Sequence, residues 1–169
     1  MSNNTAFLLF FLFVVGILTV VLLLPVANVQ GAPVPIQCIS SPCMGTNGDD
    51  NMVGTSKNDK MFGLDGNDIL RGLGGNDLMT GAKGNDVIGG GDGADQMYGL
   101  AGNDRILGGV GKDYINGTEG DDVLYARDSI VFSDGVGDMI VCGLGNDRVY
   151  IAPAEGDQVT KDCETIIKP

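Results

Sequence analysis

Two patterns of apolar and polar residues divide the chain. Residues 6–24 form an uncharged apolar run in which nothing is more polar than Thr19. From Gly45 to Tyr125, single apolar residues recur every nine positions between stretches rich in Gly, Asn and Asp. The first pattern predicts a hydrophobic helix, either a bilayer span or a signal-peptide core. The second predicts an internal repeat built from short strands and turns.

The repeat consists of nine contiguous units of nine residues with no insertion. The first position is always Gly, the fourth is Gly except at Lys57, the sixth is always Asp and the eighth is always apolar. We expect a turn over the first six positions and a strand over the last three, with the eighth side chain inward and its neighbours outward. The fifth position is Asn in five units, which fits the tolerance of Asn for left-handed backbone. The predicted core residues are Met52, Met61, Leu70, Met79, Ile88, Met97, Ile106, Ile115 and Leu124.

The strict sixth-position Asp predicts two columns of carboxylates. A turn and a strand reverse the chain, so two units form one coil of eighteen residues and alternate units stack. Neighbouring Asp would then lie ~4.8 Å apart and repel by ~1 kcal/mol even in water. Cations between the coils would relieve this repulsion, and Ca²⁺ accepts such flexible oxygen sites more readily than Mg²⁺. One column would hold Asp50, Asp68, Asp86, Asp104 and Asp122, and the other Asp59, Asp77, Asp95 and Asp113.

The units resemble the GGxGxDxUx nonapeptide of the RTX (repeats-in-toxin) hemolysin-type calcium-binding proteins. The resemblance implies an all-β fold, a right-handed parallel β-roll, in which several Ca²⁺ ions bridge turns two repeats apart. It makes the nine Asp the side-chain ligands and the turns the source of carbonyl ligands. Four gaps in one column and three in the other leave room for up to seven ions. This sequence departs from the pattern in two ways: the second position is Gly only at Gly91 and Gly109, and Lys57 replaces the fourth-position Gly of its unit. We expect Lys57 to weaken binding at its turn.

The segments outside the repeat carry further expectations. Residues 1–31 form a signal peptide or a membrane anchor. Both alternatives stay open: Val29 and Gly31 have the spacing of a cleavage site, but the flanking charges do not orient a span. Residues 32–44 are expected to be a linker with a local disulfide, and residues 126–169 to be degenerate repeats followed by a cap. In the degenerate units Asp138 and Asp147 fall at the sixth position, and we expect them to be weaker metal ligands.

Four cysteines agree with export to an oxidising compartment. Three connectivities are open, and pairing within each set is favoured because each set brackets a short segment. The expected pairs are Cys38 with Cys43 and Cys142 with Cys163, and the second would staple the C-terminal cap.

Composition excludes several classes of function. The chain has 22 acidic residues against 10 Lys and Arg, so a nucleic-acid partner is not expected. It has no His, which removes imidazole metal sites and Ser-His or Cys-His catalysis. There is no GxSxG motif and no room for a catalytic domain, so we expect no enzyme. Collagen would need Gly at every third position, and an EF-hand would need a loop closed by Glu.

Two functions fit these observations. The leading one is an exported calcium-binding β-roll, secreted or tethered to the outer face of the membrane through residues 6–24. The alternative is an adhesion or envelope module that uses the roll as a rigid stalk or binding face, with a protein or glycan partner that the sequence does not name. The outward apolar residues that such a face would use are Phe62, Leu78, Tyr98 and Tyr114 on one side, and Ile69, Val87, Val123 and Tyr125 on the other.

Overall fold

The structure is a computed structural model that describes residues 35–126, 136–151 and 156–168. The apolar run 6–24 and the cleavage site at Val29 and Gly31 lie outside these residues, so the N-terminal helix and the choice between signal and anchor stay predictions. Within the described ranges every regular element is a strand. None of these residues forms a helix that is long and apolar enough to cross a membrane.

Fifteen short strands in the described ranges form two parallel sheets. The first sheet has the order β1-β3-β5-β7-β9-β11-β13-β15, and the second has the order β14-β12-β10-β8-β6-β4-β2. The chain thus alternates between the sheets, as an all-β solenoid of stacked coils requires. The strands are β1 (Ile36–Gln37), β2 (Cys43–Met44), β3 (Asn51–Val53), β4 (Lys60–Asp65), β5 (Ile69–Gly74), β6 (Leu78–Lys83), β7 (Val87–Asp92), β8 (Gln96–Ala101), β9 (Arg105–Val110), β10 (Tyr114–Glu119), β11 (Val123–Tyr125), β12 (Met139–Leu144), β13 (Arg148–Tyr150), β14 (Gln158–Val159) and β15 (Thr165–Ile167).

The stacking period is the predicted eighteen residues. Met61 pairs with Met79 in one sheet, and Leu70 pairs with Ile88 in the other. All nine predicted core side chains are buried, with no more than 1% of their surface exposed. One inward residue from each strand therefore meets its counterparts from neighbouring coils in a continuous core.

The central strands are longer than the sequence predicted. The prediction of three-residue strands was wrong for β4 to β10, which have six residues and continue into the first three positions of the next unit. In-register stacking is the reason, because it lets these positions pair with the neighbouring coil as well. Leu64 lies opposite Ala82, and Asp65 opposite Lys83.

Left-handed backbone occurs at glycines and at second-position residues, but not at the fifth-position Asn. Positive φ occurs at the second and fourth positions of the interior units, for example at Leu73 (78°) and Gly84 (129°). The fifth-position Asn lie outside that region, so their predicted role was wrong. Their side-chain oxygens instead accept hydrogen bonds from the backbone of the next coil, as in Asn85 N to Asn67 Oδ1 at 2.9 Å. The Asn therefore tie coils together along the roll.

Both ends of the roll extend beyond the nine units. The stretch 32–44, expected to be a linker, contributes β1 and β2, which pair with β3 and β4. After the register break, β12 returns to pair with β10 and places Ile140 opposite Ile115. The tail adds β14 and β15, one to each sheet.

The two disulfides have the predicted connectivity. Cys38 is bonded to Cys43, and Cys142 to Cys163. The second bond joins the start of the last full coil to the tail, across 21 positions of sequence. It therefore fastens the terminal strands over the end of the core.

Candidate metal sites

The sixth-position Asp form two buried columns, one along each edge of the roll. Each Asp lies at the end of a turn, directly before the strand that places the eighth residue in the core. From Asp68 onward, Oδ1 of each Asp accepts a hydrogen bond from the backbone N–H of the Asp in the preceding coil, as in Asp68 N to Asp86 Oδ1 at 2.8 Å. This ladder orders the carboxylates and leaves one oxygen of each for another partner. The columned Asp that are at most 2% exposed are Asp68, Asp77, Asp86, Asp95, Asp104, Asp113, Asp122, Asp138 and Asp147.

The second carboxylate oxygen is buried without a hydrogen-bond partner at most interior turns. Burying a polar atom in this way costs free energy unless a ligand satisfies it. The same orphaned Oδ2 recurs turn after turn, so it is a feature of the repeat and not a local defect. It is found in Asp68, Asp77, Asp86, Asp95, Asp104, Asp122 and Asp147.

The first-position Gly makes space beside each orphaned oxygen. A Cβ atom on Gly63 would overlap Asp68 Oδ2 and would lie 2.8 Å from the carbonyl oxygen of Gly81 in the next coil. The same arrangement recurs at Gly99 with Asp104 and the Gly117 carbonyl. The absence of a side chain therefore brings carboxylate and main-chain oxygens together.

This oxygen set suits a hard cation. Ca²⁺ takes six to eight oxygens in a flexible shell and accepts main-chain carbonyls alongside carboxylates. In the described ranges no three Asp, Glu or Cys side chains gather into one cluster. A cation held here would rely on two Asp at most, with carbonyls completing its shell. The glycine cradle and the orphaned oxygens fit such an ion.

Burial changes the acidity of the columns. Desolvation is the main cause that raises the pKa of Asp86, Asp95 and Asp104 to about 6, and that of Asp122 to about 7. The backbone hydrogen bond to each carboxylate opposes this shift, and the negative charge of the neighbouring Asp adds to it. The carboxylates therefore need a positive charge, a proton or a metal ion, to be stable in this position.

The turns that begin the two columns differ from the interior turns. Oδ2 of Asp50 accepts hydrogen bonds from the backbone N–H and from Oγ1 of Thr46, the latter at 2.9 Å. Thr55 makes the same two bonds to Asp59. In both carboxylates Oδ2, the oxygen that is orphaned in the interior turns, already has hydrogen-bond partners, which makes Asp50 and Asp59 the weakest candidate ligands.

Lys57 occupies a fourth position at which the interior turns have glycine. The interior glycines have positive φ, as at Gly84 (129°), whereas the φ of Lys57 lies outside that region. The backbone N–H of Lys57 donates to Thr55 Oγ1 at 3.1 Å. Lys57 therefore does not take the backbone conformation that favours glycine in the interior turns.

Two acidic residues that the sequence did not predict continue the columns into the tail. Asp138 N donates to Asp157 Oδ1 at 3.1 Å, and Asp147 N donates to Glu164 Oε2 at 2.8 Å. The signal was an acid two positions before an apolar residue, which recurs at Val159 after Asp157. It escaped notice because the tail lacks the preceding glycines.

Comparison with known proteins agrees with this geometry. The model of the RTX calcium-binding nonapeptide repeat matches four times, over residues 44–79, 72–106, 89–124 and 107–129. Together the matches cover just over half of the chain. The chain belongs to the RTX calcium-binding repeat family. No curated protein and no solved structure gave a significant match.

Membership explains why glycine and aspartate recur together. The RTX repeats of this chain are calcium-binding repeats by family, and they form a parallel β-roll closed by two disulfides. The second-position departure noted in the sequence has a structural consequence in this RTX chain. Five non-glycine residues take φ between 78° and 94° in the described ranges, a conformation that is strained for them. They are Leu64, Leu73, Ala82, Leu100 and Thr118.

Proposed function

We propose that this protein is an exported, non-enzymatic calcium-binding β-roll whose folding requires Ca²⁺. The observation that carries the proposal is the repeated orphaned Oδ2 atom beside a first-position Gly and a carbonyl of the next coil. Without a cation, most interior turns bury an unsatisfied carboxylate oxygen next to another carboxylate. With Ca²⁺ these costs become binding free energy, which is then folding free energy.

The nine repeat Asp are proposed as side-chain ligands, with Asp138 and Asp147 as further ones because they continue the columns. Up to seven ions would lie between the turns of residues 45–125. The first gap of each column would be weakest, because Thr46 and Thr55 already satisfy the carboxylates of Asp50 and Asp59. Extracellular Ca²⁺ modules bind at ~0.1–1 mM, and we expect that range here.

Export is supported by the two disulfides, which need an oxidising compartment. Residues 6–24 would provide the signal or the anchor. The division into leader, linker, repeats and cap remains a prediction. The alternative function, an adhesion or envelope module, shares this roll and adds a binding face to it.

Equilibrium dialysis of the full chain against ⁴⁵Ca²⁺ tests the calcium sites. We expect several ions per chain, retained in the presence of equimolar Mg²⁺. Binding of fewer than two ions, or full displacement by Mg²⁺, would reject the assignment. Fractionation of the native cells, with sequencing of the mature N-terminus, tests export separately: Ala32 at the N-terminus would show cleavage, and an intracellular chain with four free thiols would refute export.

A further inference from the structure

The outer face of the first sheet contains a trough along β7. Three consecutive glycines, residues 89–91, lie in this strand. Gly89 points outward at the ninth position of its unit and lies between Arg71 of β5 and Leu107 of β9. Gly91 and Gly109 leave the next outward places bare as well. The result is a cavity of about 540 Å³, open to solvent, within the size range of small-molecule sites.

Gly89 is not explained by the fold. Its φ lies outside the left-handed region, unlike that of Gly91. A Cβ atom built on it would meet nothing within 4 Å. At the other eight ninth positions of the repeat a side chain is present. Glycine in a strand interior weakens the strand and often marks a place where a ligand approaches the backbone. The trough therefore exists at a cost that the roll itself does not require.

The walls of the trough are apolar and exposed. Val87, Leu107 and Val110 are each 41–45% exposed, and Leu73 is 54% exposed. All four line the cavity around one strand. Contiguous exposed apolar side chains with polar residues at their rim are a feature of ligand-binding grooves.

A guanidinium stands beside this apolar surface. Arg71 lies directly opposite Gly89, at about one strand spacing, ~4.8 Å. In the described part of the chain no acidic side chain forms an ion pair with it. Arg105 also lines the cavity, with its guanidinium held over the Tyr125 ring at 4.5 Å from the centroid. Asp92 also lines the cavity, and its negative charge lies at the C-terminal end of β7, opposite the end at which Arg105 lies.

We propose that this trough binds a small molecule with an aromatic or aliphatic body and a single anionic group. The apolar body lies over Gly89 between Val87 and Leu107, and Arg71 holds the anion. Arg105 adds a second positive charge, and Asp92 excludes the anion from the opposite end. The volume favours a small molecule over a polymer, and the unpaired guanidinium in a chain of net charge −12 favours an anion.

The test is calorimetric titration of the full chain, in saturating Ca²⁺, with naphthalene-2-sulfonate. We expect one site. Gly89→Leu fills the trough and should weaken binding at least about tenfold, and Arg71→Gln should weaken it about tenfold by removing a charge-assisted hydrogen bond. Arg105→Gln should have a smaller effect. Arg148→Gln, on the same sheet but outside the trough, is the matched control and should leave binding unchanged.

Three results would overturn the proposal. They are absence of binding to the parent chain, equal binding by Gly89→Leu, and equal affinity for the uncharged naphthalene-2-methanol. Binding of polyaspartate with no binding of the sulfonate would likewise show that the face serves a polymer. Circular dichroism with Ca²⁺ should be the same for all variants, because none of them alters a columned Asp. A failure of the trough is therefore distinguishable from a failure of the calcium proposal.

Discussion

Replacing Asp86 by Asn tests whether this aspartate acts as a metal ligand or only through its hydrogen bond. Asp86 lies mid-column, where its Oδ1 accepts from Asp68 N and its Oδ2 has no partner. Asn keeps the shape and the Oδ1 acceptor but removes the charge and the second oxygen. The matched control is Asp50→Asn at the end of the same column, where Thr46 already binds Oδ2.

The expected magnitude follows from the number of sites touched. An ion with a dissociation constant of ~0.3 mM contributes about 2 kcal/mol of stability in 10 mM Ca²⁺. Asp86 faces Asp68 on one side and Asp104 on the other, so its loss weakens two gaps. We expect Asp86→Asn to lower the free energy of unfolding by ~4 kcal/mol in 10 mM Ca²⁺. Asp50 faces one gap, so Asp50→Asn should cost ~2 kcal/mol or less.

Without Ca²⁺, the effect of Asp86→Asn on the free energy of unfolding should have the opposite sign. In chelator, Asp86→Asn removes a buried carboxylate from a repulsive column, so any residual structure should be slightly more stable than in the parent. Urea unfolding followed by far-UV circular dichroism, with and without Ca²⁺, measures both effects. Equal destabilisation in Ca²⁺ and in chelator would show that Asp86 acts only through its hydrogen bond. Equal effects of the two substitutions would refute the stacked-site argument.

Three further predictions concern the cation-free fold, the strained turns and the cap. The pKa values of four buried carboxylates, Asp86, Asp95, Asp104 and Asp122, are raised from 3.8 to about 6–7 in the fold. The cation-free roll should therefore be most stable near pH 4 and should lose that stability as the pH rises through 6–7. Circular dichroism in chelator at pH 5 and 7.5 measures this, and less β-structure at pH 5 would contradict it. Ala82→Gly relieves the strain of a φ of 94° and should raise the free energy of unfolding by about 1 kcal/mol. Ala101→Gly, at a position with ordinary φ, should lower it. Thermal unfolding in Ca²⁺ compares the two variants, and a lower stability for both would show that Ala82 is not strained. Replacing Cys142 and Cys163 by Ser should cost ~3 kcal/mol, measured by urea unfolding in Ca²⁺, and an unchanged midpoint would show that the cap needs no staple.

The repeat made most of this fold predictable, because each fixed position carries one physical constraint. The eighth position is apolar in every unit, which predicted that its side chain is buried. The eighteen-residue coil was predicted because each unit of nine residues reverses the chain once. The sixth-position columns followed from the same register. What sequence reasoning missed depends on contacts between coils. The Asn67 ladder and the left-handed φ at Leu73 arise only when one turn lies against another, and Thr46 replaces that arrangement at the first turn of its column.

The acidic residues of the tail also depend on contacts between coils, so the sequence did not predict them. Asp157 and Glu164 join the columns through hydrogen bonds to Asp138 and Asp147, although no glycine pattern leads to them. Here the preceding coil acts as a template, so a weak local signal is enough. Residues 6–24 show the opposite case, because a strong apolar pattern there leaves both a cleaved signal peptide and a retained anchor open.

Whether Ca²⁺ folds the roll can be measured by far-UV circular dichroism of the full chain during a Ca²⁺ titration. We expect little β-structure in chelator at neutral pH, because the buried columns then repel and one inward side chain per nine residues offsets too little backbone entropy. We expect a cooperative gain of β-structure at millimolar Ca²⁺, with a much smaller response to Mg²⁺ at the same concentration. A full β-spectrum in chelator, or an equal response to Mg²⁺, would contradict it.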